Sequence, residues 1–399
     1  MKLAKRLDAV RPSPTLAITA KAKELKAKGI DVVGFGAGEP DFDTPKVIKQ
    51  AAVTALDQGF TKYTPTNGIP ELREAVCAKV AQQHGLSYKA TEVIISCGAK
   101  HALFNLFQAV LNPGDEVVIF APYWVSYADM VRLAEGVPVI VPSRHQDGFE
   151  PRAADIKKAF TARTRAVIVN SPSNPTGAVF GRDTLQNVIA EVRGKEILIV
   201  SDDIYDRLVY KGRFENVLTL EPSLRPQVAL VNGCSKTYAM TGWRIGWTAG
   251  PADLIAAMQK MQDNSTSNPT SIAQKGALAA LTMPLDDEIE RMRKIFDERR
   301  QVIVSKLNQI EGISCFDPGG AFYVFPHIGK LLERTAPGEK EPIGTDERFV
   351  ARLLDVHKVA AVPGSAFGAP GYMRLSFAIA ADQIEKGVTR IAEMAKSLS

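Results

Sequence analysis

At 399 residues the chain is too long for one small core, so two domains, or one large α/β domain with an appendage, are expected. A hydrophobic content of 45% with 23% charged residues describes an ordinary globular composition and excludes a disordered or fibrous chain. The formal net charge of +5 is spread along the sequence without a basic block, which gives no footing to nucleic-acid or membrane-surface binding.

Behind Lys2, Lys5 and Arg6 there is no apolar stretch of signal-peptide or membrane-spanning length. An amphipathic start is broken at Pro12 and Pro14, and a helix is expected from Thr15 to Lys28, stopped at Gly29. Asp31 to Phe35 reads as a short strand running into a loop rich in glycine and proline, Gly36 to Pro45. Helices follow at Pro45–Gln58 and Ile69–His84.

From there short β-rich runs alternate with helical segments. Glu92–Ser96, Glu116–Phe120, Val137–Val141, Ala166–Asn170, Glu196–Ser201, Gln227–Asn232 and Arg244–Ala249 make seven candidate strands. Such alternation predicts a mostly parallel sheet covered by helices. Only eleven residues join the last two strands, too few for a helical crossover, so the last strand is expected to run antiparallel. After Pro251 the sequence predicts a helix, a polar stretch (Asp263–Thr270) and a long helical region to about Asn308. Strands return at Ala321–Phe325, Val359–Val362 and Met373–Ala378 with helices between, and Thr335–Thr345 reads as an exposed surface loop. The expected organisation is an N-terminal segment (1–44) packing with a small domain, a large domain (45–290) and a smaller α+β domain (291–399).

In an open α/β sheet, ligands gather beyond the C-terminal ends of the strands. After the first of the seven strands stand Gly98, Ala99 and Lys100 at the start of a helix, where free backbone N–H groups make a phosphate cradle. After the second comes Trp124, a stacking face for a flat ring, and after the fourth Asn174, in a proline-bounded turn. After the fifth come Asp202 and Tyr205, and after the sixth Ser235 and Lys236, with Arg244 eight residues beyond the lysine. A lysine partly desolvated at such a place supplies a neutral amine as nucleophile, and an arginine suits a phosphate. Each residue alone has a plainer reading: Trp124 as core packing, Asn174 as a turn former, Asp202 as a helix cap. Together they suit a phosphorylated aldehyde on a planar, cationic ring held as a Schiff base, which is pyridoxal 5′-phosphate.

The run Ser235, Lys236, Met240, Gly242, Trp243, Arg244 and Gly246, with Cys234 its one departure from the commonest pattern, resembles the lysine motif of the fold-type I PLP-dependent aminotransferases. Asn174–Gly177 (NPTG), Ser201-Asp202 with Tyr205, Gly38–Pro45 (GEPDFDTP), Tyr63–Arg73 and Arg374–Ala378 (RLSFA) agree, in order and over essentially the whole chain. The likeness is nearest to the bacterial subgroup Ib aspartate aminotransferases, some of which also act on prephenate. It implies that Lys236 binds the cofactor aldehyde, Asp202 pairs with the ring nitrogen, Tyr205 and Asn174 bond the ring hydroxyl, and Trp124 stacks. It further implies that Gly98, Ala99, Lys100, Ser235 and Arg244 surround the phosphate, with Tyr63 reaching in from the partner of a homodimer with shared sites. Arg374 would grip the substrate α-carboxylate, helped by Asn174, Trp124 and Gly38, and Lys100 and Arg11 are the candidates for a second carboxylate. The reaction so implied is ping-pong transamination between L-aspartate or L-glutamate and 2-oxoglutarate or oxaloacetate.

Two rival readings have weaker footing. Gly34, Gly36 and Gly38 form GxGxG, short of the last glycine of a dinucleotide fingerprint, and lead into Glu39-Pro40 instead of a helix. A non-catalytic regulator built on the same fold would carry a DNA-binding appendage, for which the N-terminus has no room. Within the family, aromatic or kynurenine-type aminotransferases and C–S lyases share the cofactor residues and stand as the alternative activity. Cys77, Cys97, Cys234 and Cys315 are far apart and lack histidine companions at ligand spacing, so neither a disulfide framework nor a metal site is expected, and a cytoplasmic location is.

Overall fold

The computed structural model describes residues 1, 3–10, 12 and 14–399. Twelve strands are present among them: β1 (Val33–Gly34), β2 (Val93–Ser96), β3 (Glu116–Ala121), β4 (Val137–Pro142), β5 (Thr164–Asn170), β6 (Leu198–Asp202), β7 (Val228–Gly233), β8 (Gly246–Ala249), β9 (Tyr323–Val324), β10 (Val359–Ala360), β11 (Val362–Pro363) and β12 (Met373–Ser376). All seven strands expected for the main sheet join one sheet in the order β2-β8-β7-β6-β5-β3-β4. Only β8 is reversed, pairing antiparallel with both β7 and β2, as the short connection before it requires.

Alternation of side chains sends successive residues of each strand to opposite faces. Ile95, Val118, Phe120, Val167, Val169 and Ile199 enter one apolar cluster. Ile94, Val117, Ile119, Ile168, Val200 and Val231 enter another. Both faces are therefore buried, which explains why the strands read as unbroken apolar runs. At the edge of the sheet β4 leaves Val137 and Ile140 exposed, and Pro138 and Pro142 within it withhold N–H donors from any further strand.

The first four α-helices in chain order are α1 (Pro14–Ala27), α2 (Lys46–Asp57), α3 (Pro70–His84) and α4 (Ala99–Val110). Pro70 at the start of α3 suits its fixed φ, and Gly85 closes the helix at φ 68°, a left-handed position that glycine adopts without strain. Three helices follow Pro251: Ala252–Asp263 is the separate helix expected there, and the long helical region beyond the polar stretch divides into Ser271–Thr282 and Asp286–Leu307, the break falling at Met283-Pro284. Asp286, Asp287 and Glu288 occupy the first turn of the third, where acidic groups favour the helix dipole. Ile289 of its buried face joins the main-sheet core, whereas Met292, Phe296, Ile303, Val304 and Leu307 pack in a second core with Phe322, Phe349, Leu375, Phe377 and Ile391.

Val33 and Phe35 belong to that second core, and β1 pairs in parallel with β10, matching Val33 to Val359. Gly387 of the C-terminal helix Ala381–Ser397 leaves room for the Phe35 ring, which a Cβ there would meet at 2.2 Å. The Thr335–Thr345 stretch is exposed over most of its length, as expected, but it is anchored: Ala336 and Ile343 are each 2% exposed in the second core, and Thr335 exchanges backbone bonds with Ser399. Among the described residues no helix is long and apolar enough to cross a membrane.

Candidate active site

Register decides which side chains meet. Asn170 pairs with Asp202 across β5–β6, and Asp202 with Val231 across β6–β7, so the residues that end these strands stand side by side. The turn after β7 then carries Ser235 and Lys236. From the second core β9 brings Tyr323 and β12 brings Arg374 to the same opening. One cavity, enclosing about 1000 Å³ of space partly open to solvent, is lined by Gly38, Ala99, Lys100, Trp124, Asn174, Asp202, Tyr205, Ser235, Lys236, Arg244 and Arg374. The structure thus brings together nearly all the residues singled out from the sequence.

Lys236 points its Nζ at the carbonyl oxygen of Gly38, 2.5 Å away. Burial pulls this ammonium down to about 8, and Arg374 and Arg244 act in the same direction, while Glu39 and Asp202 oppose them. Asp202 is pushed up to about 6 by burial, against the hydrogen bonds from Tyr127 Oη and the Ile204 N–H and the charge of Lys236. Tyr127 Oη lies 2.5 Å from Asp202 Oδ2. Asn170 Nδ2 donates to the Asp202 backbone carbonyl at 3.0 Å, and its Oδ1 accepts from the Asn174 N–H at 3.1 Å, tying two strand ends together.

Arg374, 2% exposed, donates Nη1 to Asn174 Oδ1 at 3.1 Å and Nη2 to the Gly36 carbonyl at 2.7 Å. Its Nε is buried and has no partner among the described residues. The guanidinium sits between the rings of Tyr323 and Phe367, with centroids at 4.7 and 5.1 Å. Tyr205 and Tyr323 share a hydroxyl–hydroxyl hydrogen bond of 2.9 Å. Gly38 must be glycine here, since a Cβ would stand 2.8 Å from Tyr323 Oη.

The other end of the cavity is built on the start of α4. Gly98 at φ 89° precedes its first turn, and a Cβ there would meet Arg244 Nη2 at 2.5 Å. Arg244 was expected inside a strand. It stands instead just ahead of β8 in the left-handed region (φ 56°), which turns its side chain out to Thr241 O at 2.7 Å and toward Cys97 O at 3.5 Å. Lys100 holds its Nζ 4.9 Å from the Trp124 ring centroid, its charged form disfavoured by burial and by Arg244.

Of the described candidates, Gly98 and Tyr63 do not line this cavity: Gly98 lies just behind it at the start of α4, and Tyr63 is 92% exposed in the single chain. Arg11 lies outside the described residues. Conversely, Thr15, Tyr127, Asn170, Thr241 and Tyr323 line the cavity without having been singled out for it. The available signals were small: Tyr127 follows Trp124 by three residues, within one helical turn, and Tyr323 lies in the Ala321–Phe325 run, which reads as a strand with nothing to tie it to the site.

Pyridoxal 5′-phosphate fits this set of residues. The glycine cradle under Arg244 leaves an interaction to be completed by an anion, and the buried Asp202 one to be completed by a cation. An α/β fold with a buried amine facing an anion cradle defines an enzyme that captures a phosphorylated carbonyl cofactor. The aminotransferase class I and II family model matches residues 30–391, and the chain belongs to that family, whose members depend on pyridoxal 5′-phosphate. It is 50% identical over 392 residues to an aspartate aminotransferase of Geobacillus stearothermophilus, covering 98% of each chain. It is 46% identical over 396 residues to an aspartate/prephenate aminotransferase of Nitrosomonas europaea, covering 99% of this chain and 100% of that one. The crystal structure of an aspartate aminotransferase from Rhizobium meliloti superposes with a TM-score of 0.95 at 42% identity, covering 100% of both chains.

Proposed function

We propose that the enzyme transfers the amino group of L-aspartate or L-glutamate to 2-oxoglutarate or oxaloacetate. The observation that carries this reading is the charge of the cavity wall: Lys100, Lys236, Arg244 and Arg374 face it with Asp202 as the one carboxylate among its lining residues. Arg374 is held by neutral acceptors, and Lys100 rests over an aromatic ring. Such a wall favours a ligand set rich in anions, namely a phosphate and two carboxylates.

The bound cofactor supplies an aldehyde that takes the amino group and a protonated ring that accepts the electron pair left at Cα. The chain's own residues do the rest. Gly98, Ala99 and Ser235 would offer donors to the phosphate, and Arg244 its guanidinium. Trp124 would supply the stacking face for the ring, Tyr205 and Asn174 would bond its hydroxyl, and Asp202 would keep the ring nitrogen protonated. Arg374, its fork set by Asn174 and Gly36, fixes the substrate α-carboxylate so that the Cα–H bond faces Lys236. The Lys236 amine takes and returns that proton, a task suited to a group brought near neutrality by burial. Lys100 meets the second carboxylate. The name of the Nitrosomonas relative adds prephenate as a further acceptor to be tried.

The arrangement of the chain follows the same reading: 45–290 carries the cofactor region, 291–399 forms the small domain, and 1–44 packs with it, supported by the β1–β10 pairing. The active unit is a homodimer in which Tyr63 serves the neighbouring site, and the enzyme is cytoplasmic, in keeping with four cysteines that are all free. The test is a panel of amino donors on wild type and Lys100→Ser. Loss of one charge-assisted hydrogen bond should lower kcat/KM for aspartate about ten- to a hundredfold while sparing alanine and phenylalanine. An equal fall for acidic and neutral donors would assign Lys100 to cofactor or structure.

A further inference from the structure

We propose that Tyr127 is a positioning residue for cofactor capture: its O–H fastens one oxygen of Asp202 and presents the carboxylate, ionised, to the cofactor's ring nitrogen. The inference rests on the proposed role of Asp202 and adds a residue to it.

Tyr127 is 2% exposed and Asp202 3%, and the bond between them, 2.5 Å, lies in the wall of the cavity. Tyr127 sits in the first turn of the helix Ser126–Leu133. Its N–H donates to the Trp124 carbonyl at 3.0 Å, and the two rings meet edge to face at 5.3 Å. One helical turn thus delivers a ring to the cavity and a hydroxyl to the carboxylate. The second oxygen of Asp202 has only a long contact, 3.4 Å, from the Ile204 N–H.

Among the described residues, the groups around Asp202 leave Tyr127 as its one short side-chain donor. Lys236 bonds the Gly38 carbonyl, and Tyr205 bonds Tyr323. Asp203 is engaged by Ser201 Oγ and Asn216 Nδ2, both at 2.7 Å, and burial pushes it up to about 8. A buried carboxyl stripped of its donor takes up a proton and, once neutral, no longer supplies the negative charge that keeps a ring nitrogen protonated. Tyr127 opposes that outcome.

The experiment titrates the full chain, freed of cofactor, with pyridoxal 5′-phosphate across a range of pH. Wild-type affinity should weaken on acidification as Asp202 takes up a proton. In Tyr127→Phe this acid limb should move upward by about one to two pH units, the size of one charge-assisted hydrogen bond. In an Asp202→Asn background, Tyr127→Phe should add nothing. A carboxylic-acid band in infrared difference spectra against Asp202→Asn, recorded without cofactor, should persist to the same higher pH. Placing 3-fluorotyrosine at 127, a stronger donor of the same shape, should move the limb down, and this arm decides if the phenylalanine variant fails to fold. An unmoved limb, or a Tyr127→Phe loss that survives Asp202→Asn, overturns the inference alone. If Asp202→Asn itself leaves cofactor affinity intact, the reading of Asp202 falls, and the inference with it.

Discussion

Lys236 concentrates the conflict between stability and use in one side chain. Its folded-state pKa of about 8 lies below the 10.5 of an unfolded lysine, so the unfolded chain binds the extra proton throughout that interval. The lysine therefore costs stability in full below about pH 8, and the cost fades as pH rises toward 10.5. Lys236→Met should stabilise the cofactor-free chain at neutral pH by on the order of 1–3 kcal/mol, with the gain gone at high pH. The same variant should lose all turnover and should no longer become covalently labelled when the cofactor-loaded protein is reduced with borohydride. Thermal melts at several pH values and peptide mapping check both halves. Retention of transamination would remove Lys236 from its assigned place.

At the scale of elements, the anion cradle depends on how closely β8 and the start of α4 approach. A Cβ on Gly246 would stand 2.2 Å from the Ala99 N and 2.6 Å from the Gly98 carbonyl carbon. Both neighbours are backbone, which cannot swing aside as a side chain can. Gly246→Ala should therefore displace the first turn of α4, and the expected reading is a tenfold or greater loss of affinity for pyridoxal 5′-phosphate with a much smaller loss for pyridoxal. Equal losses for the two ligands would show that the phosphate end was not the part disturbed. The strands and their reversal at β8 were legible because burial on both faces writes apolar runs and because a short link forbids a crossover. The ordered residues after each strand end were legible for the same reason. Tyr127 was not, since nothing in a tyrosine three residues after a tryptophan says that its hydroxyl will meet a carboxylate 75 positions on. Tyr323 and Arg374 reach the site from the second core, and the geometry of that approach is tertiary. The left-handed backbone at Arg244 has no sequence mark either, as arginine is not a residue that favours it.

At the scale of the molecule, the exposed Tyr63 is best tested by mixing chains. Lys236→Met and Tyr63→Ala chains are each expected to be impaired. Their mixed dimer has one site with an intact lysine and an intact tyrosine from the other chain, so unfolding and refolding the two together should restore activity above either parent. No recovery in a mixture shown to contain mixed dimers would mean that Tyr63 acts within its own chain or not at all.

The pairing of β1 with β10 has a consequence for the order of assembly. Val33 finds its partner only at Val359, so a segment made early in synthesis waits for one made near the end. The seven main strands, by contrast, are all complete once Ala249 has been made. A nascent chain can close the large sheet while still tethered to the ribosome, with the first core sealed and the second open. During that interval Val33 and Phe35 have no neighbours to bury them, and Arg374 does not yet exist. The amine at 236 is thus in place before the arginine opposite it, and a chain that stops short of β12 would carry the nucleophile without the means to orient a substrate. The last steps of translation are then what convert a cofactor-binding scaffold into a selective catalyst.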